Sequence, residues 1–462
     1  MKFSAGEVCA ITGGVIASGD SAAVADGITN DTRTARSGMG FVAVEAERDG
    51  HDFLADAARA GCTLAIVRKS PDELAAAVSL RDMTVIKVDD QLNALAQLAA
   101  AMRRDRLADA TVVGVTGSVG KTSTKDLIVA AAGSQRVTAN AASYNNELGL
   151  PMTVLGASEA TELLVLEMGA RFAGNIAELC TIAAPKIGVI TNIGLAHAEH
   201  LGGRDGVLNV KAELLDALPT HGTAILPFDD TTERLRARGA AAVITVGAVA
   251  GADIIATVVG LSDDLRATVE FATPWGNGSA VLGLRGEHQA VNAAMALAVA
   301  LTSGCALHRA LAGLETARGS DWRMDLQTSS AGIAVLNDAY NANPASMSAA
   351  LAALAELPVR GRRVAVLGAM RELGTIAEAE HRSIGSIVSR LGIDVLFAVG
   401  DEGAWIATGA DGLTTVEHVT DVNRAIERLL EYCQAGDAVL LKASRAVGLE
   451  RAAAALLSGE IQ

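Results

Sequence analysis

The sequence predicts an α/β protein of three domains built around parallel sheets. Three observations carry that prediction. The apolar run Val112-Val113-Gly114-Val115-Thr116 breaks into the turn Gly117-Ser118-Val119-Gly120, then continues as Lys121-Thr122-Ser123-Thr124 on a helical pattern. Two further series of nearly continuous apolar runs alternate with helical stretches, as expected of strands covered on both faces. The chain has 462 residues, 50% of them hydrophobic, enough for roughly three domain cores.

Taken in order, the first segment is 1–107. It carries strand-like runs at 40–44, 63–67 and 84–88, a helical pattern over 52–60, and the charged stretch Arg103-Arg104-Asp105-Arg106, which reads as the end of a linking helix. The second segment, 108–317, has apolar strands at 112–116, 163–167, 187–193 and 224–227. The stretch 253–284 alternates more strictly and reads as antiparallel strands, and 286–301 is an alanine-rich helix. The third segment, 318–462, repeats the alternation, with strands at 333–336, 363–368, 395–400 and 438–442. It has no Gly-x-Gly-x-x-Gly, so a dinucleotide-binding reading lacks its fingerprint.

Composition removes several function classes. A net charge of −15 opposes non-specific binding to nucleic acid or to an anionic membrane. No apolar run approaches the ~20 residues of a membrane-spanning helix, and the first residues do not read as a signal peptide. The five cysteines are scattered and odd in number, with no Cys-x-x-Cys pair. A reducing cytoplasm is therefore expected, without a disulfide framework or metal cluster.

The chemistry is concentrated at the ends of the predicted strands. Gly117 and Gly120 let the backbone curl so that amide groups, including those of Ser118, Val119 and Ser123, face an anion. The helix that begins near Lys121 adds its positive end, Lys121 can reach outer phosphates, and the Thr122 hydroxyl can meet Mg²⁺. Parallel sheets bind ligands at the carboxyl ends of their strands, which draws in Glu167 and His197 as further metal-side candidates. Mg²⁺ prefers oxygen, so His197 is the odd member of that set. Lys211 lies on a helical pattern, where an isolated lysine ordinarily reads as solvated. The polar runs Asn145-Asn146-Glu147 and Asn337-Asp338-Ala339-Tyr340-Asn341-Ala342-Asn343-Pro344 read by themselves as loops.

Together these motifs resemble the Mur ligases, the ATP-dependent amide ligases of peptidoglycan precursor synthesis. The resemblance rests on 116–122, 144–151, Glu167-Met168-Gly169-Ala170, Thr191-Asn192-Ile193-Gly194 with His197, and 338–344, in order along nearly the whole chain. Within that family, 368–374 and the Tyr-Asn-Ala-Asn-Pro run point to the branch that adds D-alanyl-D-alanine. The resemblance implies an N-terminal domain for a UDP-MurNAc-tripeptide, a central ATP-binding domain and a C-terminal Rossmann-like domain. It assigns Asp31, Thr32 and Arg33, with Asn145, Asn146, Tyr340, Asn341 and Asn343, to substrate. It assigns His288, Asn292, Arg323 and Asp338 to ATP, with Arg323 reaching the phosphates on domain closure. Thr122, Glu167, His197 and Lys211 are the implied Mg²⁺ set, Lys211 as its carbamate, and Lys121, Lys211, His197 and Arg323 the implied catalytic set. A monomer acting on small molecules is expected. The chain departs from the family pattern at Val119 (commonly asparagine), Ala369 (aspartate), Ala443 (glycine), Glu287 and Gln289. The alternatives are another amide ligase of the superfamily, such as a folylpolyglutamate synthase, or a phosphate-loop regulator without ligase activity.

Overall fold

The computed structural model describes residues 1–74, 83–141, 144–194, 198–239, 242–413 and 415–459. The chain forms two compact units. One contains Met1–Gly114, Ser134–Gly169 and Asn175–Lys186, and the other Val115–Gly133, Ala170–Gly174 and Ile187–Gln462.

The first unit holds a five-stranded sheet in the order Val15–Ser18, Thr84–Lys87, Leu64–Val67, Gly40–Val42, Ile28–Thr29. The last four strands are mutually parallel and the first is antiparallel. The central strand, Leu64–Val67, is buried along its whole length, as its unbroken apolar run predicts. The helix Gln91–Arg106 starts on Asp90, whose side chain accepts from the Asn93 amide, and it ends in the predicted run of arginines. The same unit pairs Leu163–Glu167 in parallel with Val137–Ala139. The strand Thr111–Thr116 carries the chain from this unit into the second.

In the second unit, Ile187–Ile190, Thr223–Pro227, Ala242–Gly247 and Ile254–Leu261 pair successively in parallel. The strands Arg266–Thr273 and Gly276–Arg285 then turn the sheet antiparallel, where the sequence alternates. The alanine-rich helix Gln289–Thr302 packs on Lys121–Ala131. Small side chains allow that close approach.

The same unit ends in a six-stranded sheet ordered Asp325–Thr328, Ala334–Asn337, Ala438–Lys442, Arg363–Leu367, Val395–Val399, Thr415–Val419. Five strands are parallel, and Asp325–Thr328 is an antiparallel edge. One core lies on the face carrying Met347, Leu351 and Ile384, the other on the face carrying Ile426, Leu429 and Leu456. The chain visits Ala438–Lys442 last yet inserts it between two earlier strands. The three loops that leave Ala334–Asn337, Ala438–Lys442 and Arg363–Leu367 therefore share one carboxyl edge.

Candidate active site

The phosphate loop is built as the sequence implies. Thr111–Thr116 ends at Gly117, and the helix Lys121–Ala131 starts after Gly120, which is left-handed at φ 83°. Gly117 is required by proximity, because a Cβ there would stand 2.0 Å from the Thr191 hydroxyl. The loop after Ile187–Ile190 clamps it from behind. Asn192 Oδ1 accepts from the Ser118 amide at 3.1 Å and the Val119 amide at 2.9 Å. Thr191 Oγ1 donates to the Val119 carbonyl at 2.5 Å, and Ser118 Oγ accepts from the Gly194 amide at 2.9 Å. Val119 thus serves through its backbone, which accommodates the departure from asparagine. Lys121 Nζ donates to the Gly117 carbonyl at 2.8 Å. Thr122 and Ser123 are buried in the first turn of the helix, whose amide groups supply an anion site.

Asn292 lies against this loop, with its Oδ1 2.8 Å from the place a Gly120 Cβ would occupy. Its Nδ2 donates to Gln289 Oε1 at 2.9 Å, and Gln289 Nε2 stands 3.0 Å from His288 Nε2. The unusual Gln289 therefore links the two residues assigned to the adenine side, His288 and Asn292.

Arg323 is already on the loop. Its guanidinium donates to Thr122 Oγ1 at 2.9 Å and lies 4.2 Å above the Tyr340 ring. Thr122 and Arg323 belong to one compact unit. Its neighbours Trp322 and Met324 are both left-handed, at φ 58° and 51°, a costly conformation for bulky residues. Asp338 holds that backbone: Oδ1 accepts from the Met324 amide at 3.1 Å, and Oδ2 accepts from Lys442 Nζ at 2.5 Å. Lys442, 2% exposed, also donates to the Asn341 carbonyl at 3.0 Å. Asn343 caps the helix Pro344–Glu356, its Oδ1 accepting from the Ser346 amide at 2.9 Å. Ser320 ties the same segment to the phosphate-loop helix by donating to Asp126 Oδ2, at 2.9 Å from its amide and 2.7 Å from its hydroxyl.

Lys211 overturns the solvated reading. It lies on the helix Gly203–Asp216 and is 1% exposed. An ammonium removed from water needs strong compensation, so this position is not part of a solvated face. His197 lies outside the described residues.

In the first unit, Glu167 ends its strand and is 1% exposed. Its Oε1 accepts from Asn145 Nδ2 at 2.7 Å, and its amide donates to Asn140 Oδ1 at 2.6 Å. Asn146 Oδ1 accepts at 3.0 Å from the amide of Gly149, the first residue of the helix Gly149–Leu155. Asp31, Thr32 and Arg33 form a surface turn in which Arg33 clasps the Asp31 carboxylate, with hydrogen bonds of 2.6 to 3.1 Å. That pairing lowers the Asp31 pKa. Glu45, Asp49 and His51 also converge here, but as a structural network. Both carboxylates are paired, with Arg68 and Lys69, while His51 Nδ1 meets Asp49 at 2.6 Å and Nε2 accepts from the Arg68 amide at 3.2 Å. Burial alone would raise the Asp49 carboxyl, but Lys69 and His51 outweigh it and hold it well below the usual range.

Sequence reasoning missed Asp126, Ser320 and the clamping role of Asn192. It had Lys442 as the last residue of a predicted strand. The capping and clamping partners are distant in sequence, and no local spacing marks them.

A phosphate loop that receives an arginine from the segment leading into the next sheet defines a site for nucleotide phosphoryl transfer. Residues 115–300 match the family profile described as Mur ligase middle domain, and 322–445 match Mur ligase, glutamate ligase domain. The chain belongs to the Mur ligase family. It is 38% identical over 502 aligned positions to the UDP-N-acetylmuramoyl-tripeptide–D-alanyl-D-alanine ligase of Mycobacterium bovis, covering 100% of this chain and 98% of that one. The crystal structure of MurF from Acinetobacter baumannii superposes with a TM-score of 0.86 at 30% identity, covering 99% of both chains. MurF ligase from Thermotoga maritima in complex with ADP gives 0.78 at 28% identity, covering 94% of this chain and 97% of that one.

Proposed function

We propose that the chain joins D-alanyl-D-alanine to UDP-N-acetylmuramoyl-tripeptide at the expense of ATP, giving the pentapeptide precursor of peptidoglycan, ADP and phosphate. The observation that carries this reading is the hydrogen bond from Arg323 to Thr122. A phosphoryl-transferring enzyme needs such a guanidinium, because the charge on the moving group must be neutralised, and the region that delivers it matches the Mur ligase, glutamate ligase domain over 322–445.

In the first step, the terminal carboxylate of the tripeptide attacks the γ-phosphorus of ATP. The bond to the bridging oxygen breaks, and ADP leaves. The product is an acyl phosphate. The dipeptide amine then attacks the acyl carbon, phosphate departs, and the nitrogen loses a proton. Lys121, Arg323 and the amides opening the helix Lys121–Ala131 hold the phosphates throughout, so catalysis is mainly positioning and charge neutralisation. His288 and Asn292 serve the adenine side, and Asp338 the ribose side. Asp31, Thr32, Arg33, Asn145, Asn146, Tyr340, Asn341 and Asn343 remain the residues proposed for substrate. The division 1–107, 108–317 and 318–462 belongs to the same proposal, as do a monomer and a cytoplasmic site of action. No helix among the described residues is long and apolar enough to cross a membrane.

Thr122 and Glu167 offer hard oxygens that fit Mg²⁺, and His197 keeps its place in the proposed set. An unmodified Lys211 does not fit a cation site, whereas its carbamate does. The buried amine adds to the carbon of CO₂ with release of a proton, replacing a positive charge by two oxygens. Mg²⁺ supplies neutralisation of the phosphate oxygens. Lys211→Ala is expected to be nearly inactive and partly rescued by short-chain carboxylates. Full activity without rescue removes the carbamate from the proposal.

The deciding experiment is ligation, amine by amine, with UDP-MurNAc-tripeptide. Phosphate release should require ATP, the UDP-peptide and the dipeptide together. Faster product formation with diaminopimelate, lysine or glutamate than with D-alanyl-D-alanine overturns the assignment.

A further inference from the structure

The loop 368–374 leaves Arg363–Leu367 at the carboxyl edge of the last sheet and is held from two sides. The Met370 amide donates to His381 Nε2 at 2.9 Å. His381 Nδ1 lies 2.6 Å from the Ala377 carbonyl. A carbonyl only accepts, so Nδ1 carries the proton and Nε2 is left as the acceptor. The ring is fully buried, edge-on to Trp405 at 5.6 Å. Burial pushes its pKa below the ordinary value, against the opposing Ala377 carbonyl, Glu402 and Glu380 and with help from Arg371. One residue further on, the Arg371 amide donates to Ser444 Oγ at 2.9 Å, and the Ser444 amide donates to the Ala369 carbonyl at 2.8 Å. Two successive backbone donors are thus taken by side chains from two different elements.

The opposite side of the loop meets the part of the unit that carries the phosphate loop. Glu372 is left-handed at φ 65°. Gly374 lies so close to Glu199 that a Cβ would stand 3.0 Å from its Cγ. Arg323 and Asp338 belong to the far side of Ala438–Lys442, flanking Ala334–Asn337. The phosphate contacts therefore fall on one side of that strand and the 368–374 loop on the other. The loop 368–374 thus shares the carboxyl edge with the phosphate contacts without being one of them, which leaves its side of the edge open to a third reactant approaching the acyl phosphate.

We propose that His381 is a positioning residue for the amine substrate, fixing through the Met370 amide the shape of the loop that receives the dipeptide. The inference rests on the ligase reading above.

The test compares wild-type, His381→Leu and His381→Gln full-length enzymes, varying ATP and D-alanyl-D-alanine in turn. Glutamine keeps an acceptor at the reach of Nε2, and leucine does not. In His381→Leu the KM for the dipeptide should rise about tenfold, the cost of one buried donor left without its acceptor. In His381→Gln it should return to within about threefold of wild type. The KM for ATP should stay unchanged in both. Ser444→Ala removes the second acceptor without opening the core, and it should raise the dipeptide KM in the same selective way if His381→Leu folds poorly. Equal rises in both KM values, or an unchanged dipeptide KM, overturn the proposal. Wild-type enzyme that does not join the dipeptide at all overturns the ligase reading instead.

Discussion

At the phosphate loop, the groups offered to an anion are backbone amides and one lysine, all within residues 117–123. At the carboxyl edge of the last sheet, the corresponding work falls to side chains drawn from 322 to 445. The first region is stiffened by an asparagine and a threonine that bind its backbone. The second is stiffened by a buried ion pair, Asp338–Lys442, that spans 104 residues and supports left-handed backbone on both sides of Arg323. A site made of backbone tolerates side-chain change wherever a side chain points away. A site made of side chains does not, because each member is held by particular partners in one geometry, as Asp338 is by Met324 and Lys442.

The contrast is sharpened most by the one side chain the phosphate loop does use. Lys121→Ala should lower ligation about 10³-fold, the scale of losing a charge contact made at a transferring group. The fold should persist, because the bonds from Lys121 to the Gly117 and Ser118 carbonyls lie within its own loop. Turnover within about tenfold of wild type, with an unchanged circular dichroism spectrum, would show that the loop binds phosphate by backbone alone.

Arg323→Ala tests the other region. The guanidinium reaches Thr122 from a segment held by Asp338 and Lys442, so its loss should fall on the chemical step. A decrease in kcat of about 10²-fold is expected, with a smaller change in nucleotide affinity. Steady-state kinetics beside calorimetric ATP binding separate the two. Weaker binding at unchanged kcat would make Arg323 a ground-state contact.

The same contrast explains what the sequence made legible. The strand–turn–helix of the phosphate loop is contiguous, and its glycines sit where left-handed φ or close approach demands them. Central strands such as Leu163–Glu167 and Val395–Val399 are buried throughout, so their apolar runs are unbroken. The edge strands Asp325–Thr328 and Thr415–Val419 were missed because an edge faces solvent and needs no such run. Lys211 read as solvated on its charge alone, although its spacing of three and four residues from Val207, Leu208, Leu214 and Leu215 sets it on the buried stripe of its helix. Ala443 has its reason in a distant residue. Its Cβ lies 3.0 Å from where a Gly368 Cβ would stand, so glycine at 368 makes room for alanine at 443.

The mildest substitution bears most directly on the backbone argument. Val119 stands where the family commonly has asparagine, inside the loop that grips phosphate. Its amide donates to Asn192 Oδ1 and its carbonyl accepts from Thr191, and both bonds survive any side chain that keeps the same backbone. Its φ is not among the left-handed values, so asparagine enters without conformational relief or strain. Val119→Asn should therefore leave kcat and the KM for ATP within about twofold of wild type, the range of substitutions that touch no specific partner. Gly117→Ala, in the same loop, adds a single carbon that meets the Thr191 hydroxyl at 2.0 Å, and it should disable nucleotide binding. Side by side in an ATP titration, the two variants ask whether the loop reads its side chains or its backbone. A large effect at 119 together with a small one at 117 would reverse the assignment.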